Sequence, residues 1–191
     1  KSENLDVITT GRILESRIIY GMYPEVVAAS SDIVEKTLQL ITNSYLYKDL
    51  LSFNKIQKPE ILEKLLQALA LQIGSEVSYT EIANLIGVDK STVENYISLL
   101  EQSFITFRLK PLHRNRRNEL KKLRKIYFYD TGIRNALIRN FNSLNLRSDK
   151  GALFENFMIA ERLKRNSFLD FEPLIYFWQT HQKKEIDYIE E

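Results

Sequence analysis

Apolar residues recur at helical spacing through the first two thirds of the chain and then turn strand-like. In "YPEVVAA", Pro24 stands near a helix start, where its missing N–H costs nothing. After Ser30 and Ser31, the positions Ile33, Val34, Leu38, Ile41, Tyr45 and Leu46 predict a helix running to about Leu51. Pro59 opens the next one. Its face is Ile61, Leu62, Leu65, Leu66, Leu69 and Ile73, and Gly74 supplies a left-handed end. These helices are expected to be packing surface.

The stretch "VSYTEIANLIGVDKSTVENYISLLEQSFITFRLKPL" carries more information. Ser78 predicts the cap of a helix reaching Ile86, Gly87 a tight turn, and Asp89 the cap of a second helix from Lys90. Val93, Tyr96, Ile97 and Leu100 then share one face, expected to pack on Ile82 and Leu85. Lys90, Ser91, Thr92, Asn95 and Ser98 are left facing outward. Two β-rich runs follow, "FITFRL" and "KIYFYD". A helix pair and then a hairpin is the layout of a winged helix-turn-helix, with the residues between the strands as the tip of the wing.

"DTGIRNALIRN" reads as a strand-to-helix corner capped by the Asp130 carboxylate. The same triplet marks aspartic proteases, which work through a pair of such carboxylates. A second Asp-Thr-Gly is absent from this chain. The loop "NFNSLNLRSD" is expected to be a domain boundary. Beyond it, "GALFENFMIAERLKRN" predicts an amphipathic helix with Leu153, Phe157, Ile159, Ala160 and Leu163 apolar. "PLIYFWQT" predicts a buried strand, "HQKK" a turn and "EIDYI" the partner strand. The expected divisions are a helical linker region over 1–74, a winged helix-turn-helix over 75–140 and a further segment over 148–191. The fold class expected is mainly α with a winged helix-turn-helix (α+β), followed by a truncated α/β segment.

Charge changes this picture in one place. From Arg108 to Lys125 nine basic residues face a single acid, Glu119, so the stretch carries +8 in a chain of net charge +2. The remaining residues therefore sum to −6. A basic segment concentrated on an acidic protein is a candidate anion-binding patch, and a solvated loop is the plainer alternative. The wing residues Arg114, Arg116, Arg117, Lys121 and Lys122, with Lys90, Ser91, Thr92 and Asn95 on the second helix, are the expected DNA contacts. Glu94 on that helix would repel phosphate, and no arginine there could grip a guanine with both arms. Binding of low sequence preference is the expectation.

The rest of the composition mostly excludes. There is no cysteine, hence no disulfide and no thiolate zinc site, in keeping with a reducing cytoplasm. No run approaches the roughly 18 apolar residues of a membrane span, and "KSENLDVITT" lacks a signal-peptide core. "GVDKST" is the nearest approach to a phosphate-binding loop, but Asp89 stands where its second glycine must be. The two histidines, His113 in the basic stretch and His181 in a turn, read as solvated. A chain that begins at Lys1 and stops at Glu191 is expected to be a fragment.

Taken in order, "GMYPEVV", "YLYKDLL", the helix pair, "KIYFYDTGIRNAL" and "GALFENFMIAERLKR…FWQTHQKKEIDYI" resemble a family of prokaryotic AAA+-like ATPases. Its members place a P-loop ATPase domain first, then a winged helix, then a restriction-endonuclease-like domain. The resemblance covers about Gly21 to Ile189, and it implies that residues 1–74 are a helical lid or linker and 148–191 a partial, truncated α/β restriction-endonuclease-like domain. It implies an ATPase domain upstream, with ATP and Mg²⁺ as cofactors of the parent and none in this fragment. It also implies a downstream strand bearing Glu-x-Lys that the chain does not contain.

The resemblance further makes Glu155 and Asp187 the candidate catalytic and metal-binding carboxylates of a partial site, dead in the fragment. Glu185, two residues before Asp187, shares its strand face. Three functions follow as alternatives. The first is a DNA-binding accessory region of the ATPase. The second is part of a Mg²⁺-dependent nuclease, and the third a protein–protein module, with an oligomer among the expectations.

Overall fold

The computed structural model describes residues 2–44, 58–112, 124–180, 182 and 184–191, with side chains from residue 9 onward. The chain is mixed α+β. Its first helix, α1 (Ser2–Tyr20), buries Ile18 and Ile19 and ends at Gly21, whose φ of +79° a side chain would resist. Pro24 opens α2 (Pro24–Ala28) as expected. In α3 (Val34–Ile41), Val34, Leu38 and Ile41 form the buried stripe, whereas Ile33 is exposed. The predicted continuation through Tyr45 and Leu46 to Leu51, including "YLYKDLL", lies outside the described residues. The next helix, α4 (Pro59–Leu71), buries Leu62, Leu65, Leu66 and Leu69, and the left-handed turn comes at Gly74.

The helix pair forms as its caps predict. Strand β1 (Glu76–Val77) leads to α5 (Tyr79–Ile86), where the Ser78 hydroxyl accepts from the Glu81 N–H at 3.4 Å. Gly87 turns the chain with φ +76°, and the Asp89 carboxylate accepts from the Thr92 N–H at 2.9 Å to start α6 (Lys90–Gln102). Val93, Tyr96, Ile97 and Leu100 are buried. Their expected partner Leu85 is not: it stands 68% exposed, and Ile82, Ala83 and Ile86 take the inward positions.

Strands β2 (Thr106–Pro111) and β3 (Arg124–Phe128) pair antiparallel with Thr106 opposite Phe128 and Leu109 opposite Lys125. The short β1 pairs with β3 on its other side, Glu76 opposite Lys125. At its outer end β2 turns to a parallel pairing with β4 (Ile175–Gln179), Lys110 opposite Tyr176 and Pro111 opposite Phe177. β4 pairs antiparallel with β5 (Glu185–Glu190), giving the order β1-β3-β2-β4-β5. The sheet thus takes strands from both sides of the loop at 140–149 in which the sequence places a boundary. Of the predicted buried strand in "PLIYFWQT", Phe177 alone is buried, and Trp178 is 38% exposed.

Two cores lie on either side of β3. Ile126 and Phe128 join the helical core of α3 to α7, while Tyr127 joins Phe107, Leu109, Ile159 and Phe177 under the last helix. β3 has no solvent face. That last helix, α8 (Lys150–Phe168), buries Leu153, Phe157, Ile159 and Ala160 as predicted. Its Asn156 is fully enclosed and acts as an extra strand partner. It accepts from the Phe128 N–H at 2.9 Å and donates to the Phe128 carbonyl at 2.7 Å.

Asp130 is the predicted corner. Its carboxylate accepts from the Ile133 N–H at 3.0 Å to cap α7 (Thr131–Leu137), and from the Met22 N–H at 2.8 Å. A Cβ at Gly21 would overlap that carboxylate, and one at Gly132 would overlap the Tyr20 carbonyl oxygen. "GMYP" and "DTG" are therefore two halves of one joint. Burial pushes the Asp130 carboxyl up, and the N–H groups of Met22 and Ile133 pull against it.

Candidate functional site

Because α8 covers one face of β3, the alternate residues Lys125 and Tyr127 point into the protein rather than into water. The Lys125 side chain, 3% exposed, lies with its ammonium 5.5 Å from the centre of the Phe177 ring. Its Nζ stands 3.2 Å from Glu155 Oε1 on α8 and 3.4 Å from Asp187 Oδ1 on β5, and it also pairs with Glu185. Tyr127 donates its hydroxyl to the same Glu155 oxygen.

The structure therefore brings together the two carboxylates singled out from sequence, adds Glu185, and gathers all three on a lysine. Asp187 keeps 53% of its side chain exposed, so the cluster opens to solvent on the β5 side. Burial alone would lower the Lys125 pKa, but Glu185 and Glu155 outweigh it and the net shift is upward. The ammonium stays charged. Burial pushes the Glu155 carboxyl up, opposed by the hydrogen bonds from Tyr127 and Lys125. Burial, and then the nearby Glu155, raise the Tyr127 phenol as well.

Among the described residues, no three His, Cys, Asp or Glu side chains are arranged to hold a metal ion, and the three acids here surround the Lys125 ammonium.

The expected DNA-contact residues divide differently. Arg114, Arg116, Arg117, Lys121 and Lys122 lie outside the described residues, as do His113 and His181. On α6 the polar groups are engaged locally. Lys90 pairs with Glu94 at 3.2 Å, the Ser91 hydroxyl donates to Asp89 at 2.5 Å, and the Thr92 hydroxyl donates to it at 3.0 Å. Those bonds, that of Ser91 foremost, bring the Asp89 carboxyl down to about 2. A fixed carboxylate at the helix start opposes phosphate there. Asn95 is exposed.

Two members of the basic run are withdrawn from any anion-binding patch. Lys125 is in the acid cluster. Arg108 is half-buried, its Nε 2.5 Å from Glu101 Oε1 and its Nη1 3.3 Å from the Tyr79 hydroxyl. Lys110 remains exposed. The sequence signal for Lys125 was its i, i+2 spacing with Tyr127 on a strand, which the continuous run of charge masks.

Residues 11–144 match the model of a family described as Domain of unknown function (DUF8612). The chain belongs to that family. Residues 150–191 match a second model, Domain of unknown function (DUF4143), so the two matches meet at the loop preceding α8. An uncharacterized protein of Haemophilus influenzae is 27% identical over 179 residues, covering 89% of this chain and 41% of that protein. Uncharacterized proteins of Mycobacterium bovis and Mycobacterium tuberculosis are each 28% identical over 173 residues, covering 89% of this chain and 38% of theirs. The chain thus spans about two fifths of the length of the curated relatives it matches. No solved structure matches. Among the described residues, no helix is long and apolar enough to cross a membrane.

Proposed function

We propose that residues 75–140 are a winged helix-turn-helix that binds nucleic acid, as an accessory region of a longer AAA+-like ATPase. One observation carries the reading. β1 pairs with β3, which fastens the α5–α6 pair to the β2–β3 hairpin as one unit. The residues joining β2 to β3 include Arg114, Arg116, Arg117, Lys121 and Lys122 against the single acid Glu119. Contact runs through this loop rather than the start of α6, where Asp89 and Glu94 already engage the polar groups. Recognition is therefore of the phosphate backbone, with steep salt dependence and little base preference. The ATPase context, with its ATP and Mg²⁺, rests on the motif order and on relatives more than twice this length.

The test is fluorescence anisotropy on labelled duplex DNA across a salt series, with Arg114→Glu/Arg116→Glu/Arg117→Glu alongside. Affinity should fall steeply with salt and vanish in the triple variant. Absence of binding at low salt would remove the reading.

A second reading, part of a nuclease centre, draws on the convergence of Glu155 and Asp187. It has the weaker support, because that convergence is on an ammonium. Mg²⁺-dependent cleavage by the longer protein, lost in Asp187→Ala, is its test.

A further inference from the structure

At the end of α8 the fold leaves large apolar side chains in water. A surface cleft of about 590 Å³ lies there, between the turn that joins α6 to β2 and the segment that joins α8 to β4. Phe104, Tyr129, Leu163, Phe168, Phe171 and Pro173 line it. Phe104 is 73% exposed, Phe168 89% and Phe171 50%. Leu169 and Leu174, close by in the chain, are more than half exposed as well. Phe104 is also strained. It follows α6 with φ +54°, a left-handed position that glycine or asparagine fills at less cost. The Ile105 N–H donates to the Leu100 carbonyl at 3.0 Å and closes that turn, which needs no aromatic ring to form. A bulky residue kept in such a conformation, with its ring on the rim of a cleft, points to a use outside the fold.

We infer that this cleft is the docking surface for a second copy of the chain, joined across a two-fold axis. Area is the first argument. The three phenylalanines and two leucines expose on the order of 600 Å² of apolar surface, or about 1,200 Å² for two copies. That clears the roughly 1,000 Å² of a specific interface. Shape and charge are the second. A surface that meets its own copy must carry both a projection and a hollow, because each side supplies the same patch. Phe168 projects beside a cleft that the same residue of the other copy can fill. Of the charged residues in the cleft, Lys164 is basic and Glu172 acidic, and Arg165 and Asp170, close by in sequence, repeat the balance. A patch of no net charge does not repel its copy, and opposite signs can pair across the axis. It has no attraction for a polyanion, so the inference stands apart from the nucleic-acid reading.

Two substitutions test the surface. Phe168→Asp changes a side chain that supports nothing in the single chain, and two-fold symmetry makes the change act twice. It should weaken the dimer about a hundredfold or more. Phe104→Gly separates an interface role from a structural one. A ring that served the single chain's fold should lower the monomer's thermal midpoint when it is removed. A ring held in strain for an interface should weaken the dimer about tenfold when lost. The monomer's midpoint should then be unchanged or higher, because glycine relieves the positive φ.

The experiment is sedimentation velocity on the 191-residue chain and both variants, from about 1 to 100 µM, with circular dichroism melts alongside. The expected result is a parent dimer with a dissociation constant on the order of micromolar, weakened in both variants. A parent that stays monomeric throughout overturns the inference and leaves the cleft to a different partner or to another part of a longer protein. A dimer that Phe168→Asp does not weaken overturns it too, since the copies then meet elsewhere. Should Phe168→Asp fail to fold, Phe104→Gly decides alone. A weaker dimer with the monomer's midpoint kept sustains the inference, and any other result overturns it.

Discussion

Two buried cation centres in this molecule are built on opposite charge balances. In the first, Arg134 and Arg147 share the single carboxylate of Asp149, at 2.6 and 2.8 Å. Neutral oxygens complete the shell. Arg134 Nε donates to the Ala70 carbonyl at 2.8 Å, and Arg147 Nη2 donates to Asn135 Oδ1 at 3.0 Å. Asn135 in turn donates to the Ile19 carbonyl at 2.7 Å, so this centre ties α1, α4, α7 and the start of α8 together. In the second, one lysine faces three acids and one side is open. A cation in excess can be enclosed, because neutral carbonyl and amide oxygens accept N–H groups that the one carboxylate does not. Carboxylates in excess cannot be enclosed without repelling one another, so Asp187 stays in water.

Equivalent substitutions should separate the two centres. Arg134→Met should cost about 3–5 kcal/mol, because it leaves the Ala70 carbonyl buried without its donor and unbalances Asp149. In thermal denaturation followed by circular dichroism, the midpoint should fall by on the order of 10 °C. Asp149→Asn should cost about 2–3 kcal/mol in urea titration, since both guanidinium groups then lose their counter-charge. Lys125→Met should cost less, about 1–2 kcal/mol in the same titration, because Asp187 can rehydrate on the open side while Glu155 stays partly buried. A Lys125→Met cost equal to that of Arg134→Met would erase the distinction.

Acidity gives a finer contrast. Hydrogen bonds, that from Arg147 foremost, hold the Asp149 carboxyl down at about 2. A depressed carboxyl contributes stability above its ordinary value of 3.8 and loses it as pH falls towards about 2. Glu155 is shifted upward by burial, so its folded state binds the proton more tightly than the unfolded chain. Its contribution is present below the ordinary 4.5 and is lost as pH rises through the folded value. Thermal midpoints measured from pH 2 upward should therefore show Asp149→Asn flattening the acid limb alone. Glu155→Gln should remove the decline on the other side, a smaller change.

The local chemistry of the fold was legible in sequence, and its long-range chemistry was not. Ser78, Gly87, Asp89 and Asp130 each act within a few residues of themselves, so their caps and turns can be read from neighbours. Lys125 meets partners 30 and 62 positions away, and its place in an unbroken basic run concealed them. β3 compounds this, because a strand covered on both faces shows no alternation of apolar and polar residues. The exposure of Leu85 and Trp178 has the same origin. Periodicity tells which residues share a face, but only the packing tells which face is covered.

The joint between Met22 and Asp130 also bears on how the chain is made. Its hydrogen bond closes a span of 108 positions, so it cannot form until the whole stretch between its halves has been made. At the usual pace of synthesis, roughly 5–20 seconds separate the appearance of its two halves. For that interval α1 lacks α7, one of the helices it packs against. Ile18 waits longer still, because the buried residues it packs with, Leu153 and Phe157, lie on α8.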